Sequence, residues 1–248
     1  MIKNFALIIL IFINIAQVIA NEKIVAELFE NKINIDVGFS GAIISIFGVI
    51  DEEGDVVISV TGPRKKIIVR KKESVMGVWL NRDKKVFSDV PSFYYLASNK
   101  PLGDLNAEAS FYVNQIGIEN LRFEGAEEDV AINRNLWKNG IIKTMLKKGR
   151  YSDKIGKVNI SKNKLFKTEL YFGSDIMEGE YIVDTLLFKS GNVLGARRSF
   201  INVSKSGFGA KINTLANYNS LLYGIFAVML SLLFGFLANL IIRKVNNA

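Results

Sequence analysis

The chain has 248 residues, 49% of them hydrophobic and 23% charged, with 32 basic residues against 24 acidic ones. At about 100 to 200 residues per domain, this length holds one or two modest domains. It contains neither cysteine nor histidine, which excludes disulfide frameworks, thiolate nucleophiles, imidazole bases and every Cys- or His-ligated metal or haem site.

Met1-Ile2-Lys3-Asn4 supplies one positive charge ahead of an uncharged apolar run from Phe5 to Ile13. Val18-Ile19-Ala20 then places a branched residue at minus three and a small one at minus one. Residues 1–20 therefore read as a signal peptide cut before Asn21, with an uncleaved N-terminal anchor as the alternative.

From Lys32 to about Ser98 the chain is rich in Ile, Val and Phe and breaks at Gly or Pro about every ten residues, a rhythm that predicts short strands. They are expected over 33–39, 42–50, 56–60, 67–70 and 75–80, with a turn at Asp51-Glu52-Glu53-Gly54-Asp55. Residues 21–124 thus form an N-terminal β-rich domain, for which an immunoglobulin-like β-sandwich is the economical arrangement.

The pattern changes at Gly125. Glu127, Glu128 and Asp129 precede Val130, Leu136, Trp137, Ile141, Ile142, Met145 and Leu146 at helical spacings, and Lys143, Lys147 and Lys148 close the segment. Acid at the start and base at the end complement the helix dipole, and Gly149 stands where a left-handed cap belongs. One amphipathic helix is expected over Glu127 to Lys148, within 125–150. Strands resume over 157–160, 165–172, 181–189 and 197–203, separated by Gly173-Ser174-Asp175, Glu178-Gly179 and Ser190-Gly191-Asn192. Residues 151–204 read as a second, smaller β unit, and the Asn-, Ser- and Gly-bearing stretch 205–219 as a juxtamembrane linker.

No charge occurs between Lys211 and Arg243, and only Ser231 and Asn239 interrupt the apolar surface of Leu221 to Ile242. These 22 residues would span about 33 Å as a helix, enough to cross the hydrocarbon core. Residues 220–242 are expected to be a transmembrane helix. Arg243-Lys244 mark the tail 243–248 as cytoplasmic, which places the β-rich body in the periplasm and the span in a bacterial inner membrane. Setting aside Lys3, Arg243 and Lys244 leaves 29 basic residues against 24 acidic. Nucleic acid is not expected as a partner; an acidic lipid headgroup, an anionic envelope polymer or a negatively charged protein is the more natural counter-charge.

The densest basic cluster, Arg64, Lys65, Lys66, Arg70, Lys71 and Lys72, surrounds Ile67-Ile68-Val69. Strand alternation would put Lys66, Arg70 and Lys72 on one face with Ile68 among them. The cluster reads either as a patch for anionic lipid, glycan or a permease surface, or as lysines that guard an exposed sheet edge, the commoner use of such runs. Within the span, Ala227, Ser231 and Gly235 recur every four residues and Asn239 continues the line. Such a stripe lets a partner helix approach closely, from a polytopic protein or a second copy of the chain; an ordinary lipid-facing anchor is the alternative.

Trp79, Phe93, Tyr94 and Tyr95 flank Pro91 as a binding platform or, more ordinarily, as core packing. The acid pairs Asp51/Asp55 and Asp175/Glu178 fall in turns, whereas glycoside hydrolysis needs carboxylates held across a cleft at about 5 to 9 Å. Ser92 has no local signature of a Ser/Lys dyad, and the Asp51 turn lacks the ligand order of a calcium loop. No catalytic residue, cofactor or metal is assigned, and the chain is not expected to be an enzyme.

Several strings occur together along the chain: Gly62-Pro63, Val69-Arg70-Lys71-Lys72, Gly77-Val78-Trp79, Pro91-Ser92-Phe93-Tyr94 and Pro101-Leu102, followed by Gly149-Arg150-Tyr151, Gly179-Glu180-Tyr181, Leu187-Phe188-Lys189-Ser190-Gly191, Lys205-Ser206-Gly207-Phe208 and Leu222-Tyr223-Gly224. In this order they resemble the alphaproteobacterial putative transmembrane protein family. The resemblance implies a periplasmic body and one C-terminal inner-membrane helix, and supplies no catalytic residues. Members of such families are often encoded near sulfite-exporter-type anion permeases, which implies an accessory role beside a polytopic permease. Lys100 stands where Arg is more familiar, so a bidentate contact at that position is not carried over. The expectation is a non-catalytic accessory of such a permease, with an envelope-ligand module for anionic lipid or polymer as the second reading and a carboxylate enzyme as the third.

Overall fold

Strands that alternate apolar and polar residues can bury one face, and strands that are apolar throughout must be covered on both. This chain has both kinds. The computed structural model describes residues 22–125, 131–207, 212 and 215–246; the expected signal peptide 1–20 and the acidic helix start at Glu127 to Asp129 lie outside them. The strands are β1 (Ile24–Leu28), β2 (Lys32–Ile35), β3 (Ala42–Ile50), β4 (Asp55–Thr61), β5 (Arg64–Val75), β6 (Val78–Pro91), β7 (Tyr94–Ser98), β8 (Glu124–Gly125), β9 (Gly156–Lys157), β10 (Asn159–Ser161), β11 (Leu165–Phe172), β12 (Gly179–Lys189) and β13 (Asn192–Lys205). The α-helices with described bounds are α1 (Glu108–Asn114), α2 (Ala131–Lys147) and α3 (Ser220–Asn246).

Among the described residues the strands form a four-stranded sheet ordered β1-β3-β11-β10, a six-stranded sheet ordered β2-β13-β12-β4-β7-β9 and a three-stranded sheet ordered β5-β6-β8. One of the sheets curls into a half-barrel. The pairing is antiparallel except where β2 runs parallel to the end of β13 and β9 parallel to β7. Strands from either side of α2 share sheets: β11 pairs with β3, β12 with β4 and β13 with β2. The two β segments expected over 21–124 and 151–204 are therefore packed together.

The four- and six-stranded sheets face each other across a first core that includes Ile44, Ile46, Val56, Ile58, Phe166, Leu170, Tyr181 and Val183. In β3 and β11 every second residue points into it, as the alternating patterns of both strands require. The opposite face of the six-stranded sheet carries a second core, where Val57, Leu96, Leu186 and Phe188 meet Phe87 and Val90 of β6, Phe111 of α1 and Ile141 and Met145 of α2. Strand β4 is consequently buried without interruption from Val56 to Val60.

Helix α2 packs through Trp137, Ile141, Ile142, Met145 and Leu146, while Leu136, expected on the same stripe, is 67% exposed. The helix ends as expected. Gly149 adopts φ +68°, its N–H donates to Leu146 O at 2.9 Å and the Arg150 N–H donates to Met145 O at 3.0 Å, the paired bonds of a Schellman cap.

Two departures concern β5 and β6. The strands expected over 67–70 and 75–80 are parts of one long hairpin, and the reversal falls at Met76-Gly77, inside the second of them. The reason is that Arg70 to Glu73 and Asn81 to Lys84 lie in a ribbon with little apolar alternation, so the period-two signal on which the expectation rests is missing there. Strand β2 also stops at Ile35, ahead of the expected Phe39.

Two buried tyrosines pin the connections to the sheets. The Tyr94 hydroxyl donates to Gln115 O at 3.1 Å and accepts the Gly117 N–H at 2.8 Å, and the Tyr151 hydroxyl donates to Pro91 O at 2.8 Å. Burial pushes both phenols well above their ordinary pKa, so both remain donors. At the N-terminal edge, Glu52 receives Lys23, and Lys189 at 3.4 Å, joining the start of β1 to the end of β12. These hydrogen bonds and charges hold the Glu52 carboxyl below its usual pKa of 4.5.

Tyr94→Phe, which leaves the Gly117 N–H without its acceptor, is expected to lower unfolding stability by about 1–3 kcal/mol, read from denaturant titration in detergent. Because the Glu52 pKa is depressed by folding, its contribution is present above pH 4.5 and is lost as pH falls through the folded-state value. In Glu52→Gln, the acid side of the stability-versus-pH curve should flatten.

Candidate functional site

The β5–β6 hairpin turns through two residues, because Val75 pairs directly with Val78. Met76 and Gly77 both have positive φ, +51° and +81°, as a type I′ turn requires. Glycine reaches that region without strain; methionine does so at a cost. Two irregularities in register, between Lys65 and Ile67 and between Lys71 and Lys72, add twist to the ribbon. Strand β8 pairs only with Phe87 and Ser88. From Ile68 and Val86 to the turn, the hairpin is a two-stranded ribbon with no third strand beside it among the described residues.

Ile67 and Val69 pack against the second core, and Ile68 on the other face is half exposed. Alternation therefore puts Lys66, Arg70 and Lys72 on the Ile68 side and away from the core. Arg64, Lys65, Lys66, Arg70, Lys71 and Lys72 are all exposed. Arg64 pairs with Asp89 at 2.8 Å, and Lys71 with Glu73 at 2.8 Å; the hydrogen bond and charge from Glu73 raise the Lys71 pKa.

Residues 64–91 hold nine basic and three acidic residues, whereas the rest of the chain between Lys3 and Arg243 holds 20 basic and 21 acidic. The positive excess of the β-rich body thus resides in this one hairpin. At its tip the charge stops. Met76, Val78, Trp79 and Leu80 are exposed to between 50% and 101%. Register places Trp79 opposite Ser74 and Leu80 opposite Glu73, so the apolar side chains occupy both faces of the ribbon. The apolar tip was not singled out from the sequence; the signal for it is Met-Gly-Val-Trp-Leu directly after a lysine-rich strand.

Trp79 does not join the other rings that flank Pro91. Phe93 and Tyr94 are buried in the first and second cores respectively, Tyr95 packs against the first, and Trp79 stands at the far end of the hairpin. The acid pairs are engaged singly: Asp55 with Lys100 at 2.9 Å, Asp175 with Arg150 at 3.1 Å and Glu178 with Lys205 at 3.5 Å. Asp51 and Asp175 lie at separate turns of the body.

Helix α3 runs 27 residues, and its segment Ser220–Asn239 is long and apolar enough to cross a membrane, with no part of it buried against the body. At 1.5 Å per residue, 20 residues rise about 30 Å, the thickness of the hydrocarbon core. The Ser231 hydroxyl donates to Ala227 O at 2.9 Å, so its polarity is satisfied within the helix. A side chain at Gly235 would meet nothing within 4 Å. Ala227, Ser231, Gly235 and Asn239 thus form an exposed line, interrupted by no other part of the described chain.

The model of a family described as "Putative transmembrane protein (Alph_Pro_TM)" matches residues 23–244, which takes in both the β-rich body and the span. No curated protein and no solved structure matches the chain.

Met76→Asn supplies the residue favoured at the first central position of a type I′ turn and should preserve amide-exchange protection over residues 72–82. Gly77→Val forces a branched side chain to positive φ and should lose that protection while leaving exchange in β4 unchanged.

Proposed function

Because the chain belongs to the putative transmembrane protein family over residues 23–244, we propose that it is a single-pass inner-membrane protein whose periplasmic β-rich body serves as a non-catalytic accessory to a polytopic membrane protein, an anion permease of the sulfite-exporter type. The observation that carries this reading is the exposed Ser220–Asn239 segment of α3 with its small-residue line. Ser231 already spends its donor inside the helix, which leaves a smooth groove at Ala227 and Gly235. Asn239 continues that line, and in hydrocarbon its amide gains from a partner on a neighbouring helix. The basic Arg243-Lys244 pair directly beyond the apolar run supports a cytoplasmic C-terminus.

The body has the character of a binding scaffold. Its two sheets packed face to face support the sandwich reading, and Asp55, Asp175 and Glu178 are each engaged in an ion pair. A second reading, a module for anionic lipid or polymer, is favoured by the concentration of positive charge in the β5–β6 hairpin.

Replacing Ala227 and Gly235 together with Leu fills the groove without removing hydrophobicity. The double variant should insert normally, as judged by resistance to alkaline extraction, and should lose the polytopic protein that crosslinks to and co-purifies with the unmodified chain. Retention of that protein would reject the groove as the contact, and capture of only a second copy of the chain would make the groove a homodimer interface.

A further inference from the structure

The β5–β6 hairpin combines three features that have no role inside the fold. Among the described residues it projects as a free ribbon beyond Ile67 and Phe87, it carries the body's whole positive excess, and it ends in an apolar tip exposed on both faces. Strand-edge protection accounts for the lysines, since charge on an exposed ribbon blocks pairing with another chain. It does not account for Met76, Val78, Trp79 and Leu80, which make the same ribbon sticky at its end.

We infer that the hairpin docks on the anionic surface of the membrane that holds α3, with the Met76–Leu80 tip immersed at headgroup level and the basic shaft above it. This rests on the reading of α3 as the membrane anchor. The distribution of apolar groups decides between a bilayer and a protein as the occupant. A protein surface would cover one face of the ribbon, whereas here Trp79 lies on one face, Val78 and Leu80 on the other, and Met76 at the apex. Immersion satisfies both faces at once. Tryptophan is suited to the interfacial layer, with an apolar ring and one polar N–H.

Charge complementarity points the same way. Arg70, Lys72 and Lys84 are exposed and have no carboxylate partner among the described residues. They sit within a few residues of the tip, where anionic headgroups attract basic side chains. The anchor also keeps the bilayer permanently close. Residues 206–219 separate the last strand from α3, and this length of chain reaches at most roughly 50 Å, so the second contact is an intramolecular event with a high effective concentration.

The chain contains no cysteine, so Met76→Cys offers one labelling site for an environment-sensitive fluorophore on the full-length protein. The labelled protein would be reconstituted in vesicles of phosphatidylcholine alone or with about 30% phosphatidylglycerol, and quenched by nitroxide-bearing lipid. The expected result is a blue-shifted, quenched label only in the anionic vesicles, reversed by about 0.5 M salt and lost when Arg70, Lys72 and Lys84 are changed to Gln. The salt titration needs no further variant, and circular dichroism checks the strand content of the triple one. Native Trp79, read in a Trp137→Phe background with brominated lipid, should respond as the label does.

A label that stays water-exposed in both vesicles, on protein that floats with them, would overturn the inference and leave the anchor standing. Protein that does not float would overturn the anchor reading, and the inference with it. A label that is wet in lipid alone but becomes shielded when native membrane extract is added would replace the bilayer with a protein occupant.

Discussion

Everything in the body is arranged around β4, whose buried stretch from Val56 to Val60, four aliphatic residues and Ser59, has no solvent-facing side. A strand of that composition needs neighbours along both edges and cover over both faces. The edges are taken by β7 and by β12, the latter arriving from more than a hundred residues downstream. One face is covered by the four-stranded sheet, the other by the helices and the base of the β5–β6 hairpin. The chain therefore has to be assembled from distant segments before its central strand is dry, and the two β segments flanking α2 cannot stay separate.

The second core explains how a projecting ribbon can stand on this body without unravelling it. Phe87 and Val90 of β6 are fully buried, and Ile67 and Val69 of β5 pack beside them. The hairpin base is thereby part of the hydrophobic core, and Tyr151 ties its last residue, Pro91, to the loop after α2. Beyond that base the ribbon has only its own ladder among the described residues, and an isolated two-stranded ribbon is marginally stable in water. A docking surface at its tip would supply the third contact that the sheet does not.

Charge and hydrophobicity are separated in space as well as along the chain. The bulk of the body is close to neutral and closes several of its acids in ion pairs, as Asp55 with Lys100 and Asp175 with Arg150. Such exposed pairs contribute little to stability, so they serve mainly to neutralise the surface. The hairpin keeps its charge, and α3 keeps its hydrophobicity. A membrane is the one environment that engages both, through headgroups and acyl chains respectively.

The sequence alone was enough for the apolar span, the helix ending at Gly149 and the strands β3 and β11, because each depends on local information: an uninterrupted apolar run, a left-handed glycine position and strict alternation. It also placed Lys66, Arg70 and Lys72 on one face. It did not reveal that Trp79 leaves Phe93 and Tyr94, nor that the lysine-rich segment and Met76-Gly77 form one hairpin, because a ribbon solvated on both faces carries no period-two pattern. Only the tertiary structure decided which β segments share a sheet and which apolar residues stay outside. Both outcomes follow from β4, whose need for cover on two faces selects partners by shape and burial across the chain and leaves the hairpin tip uncovered among the described residues.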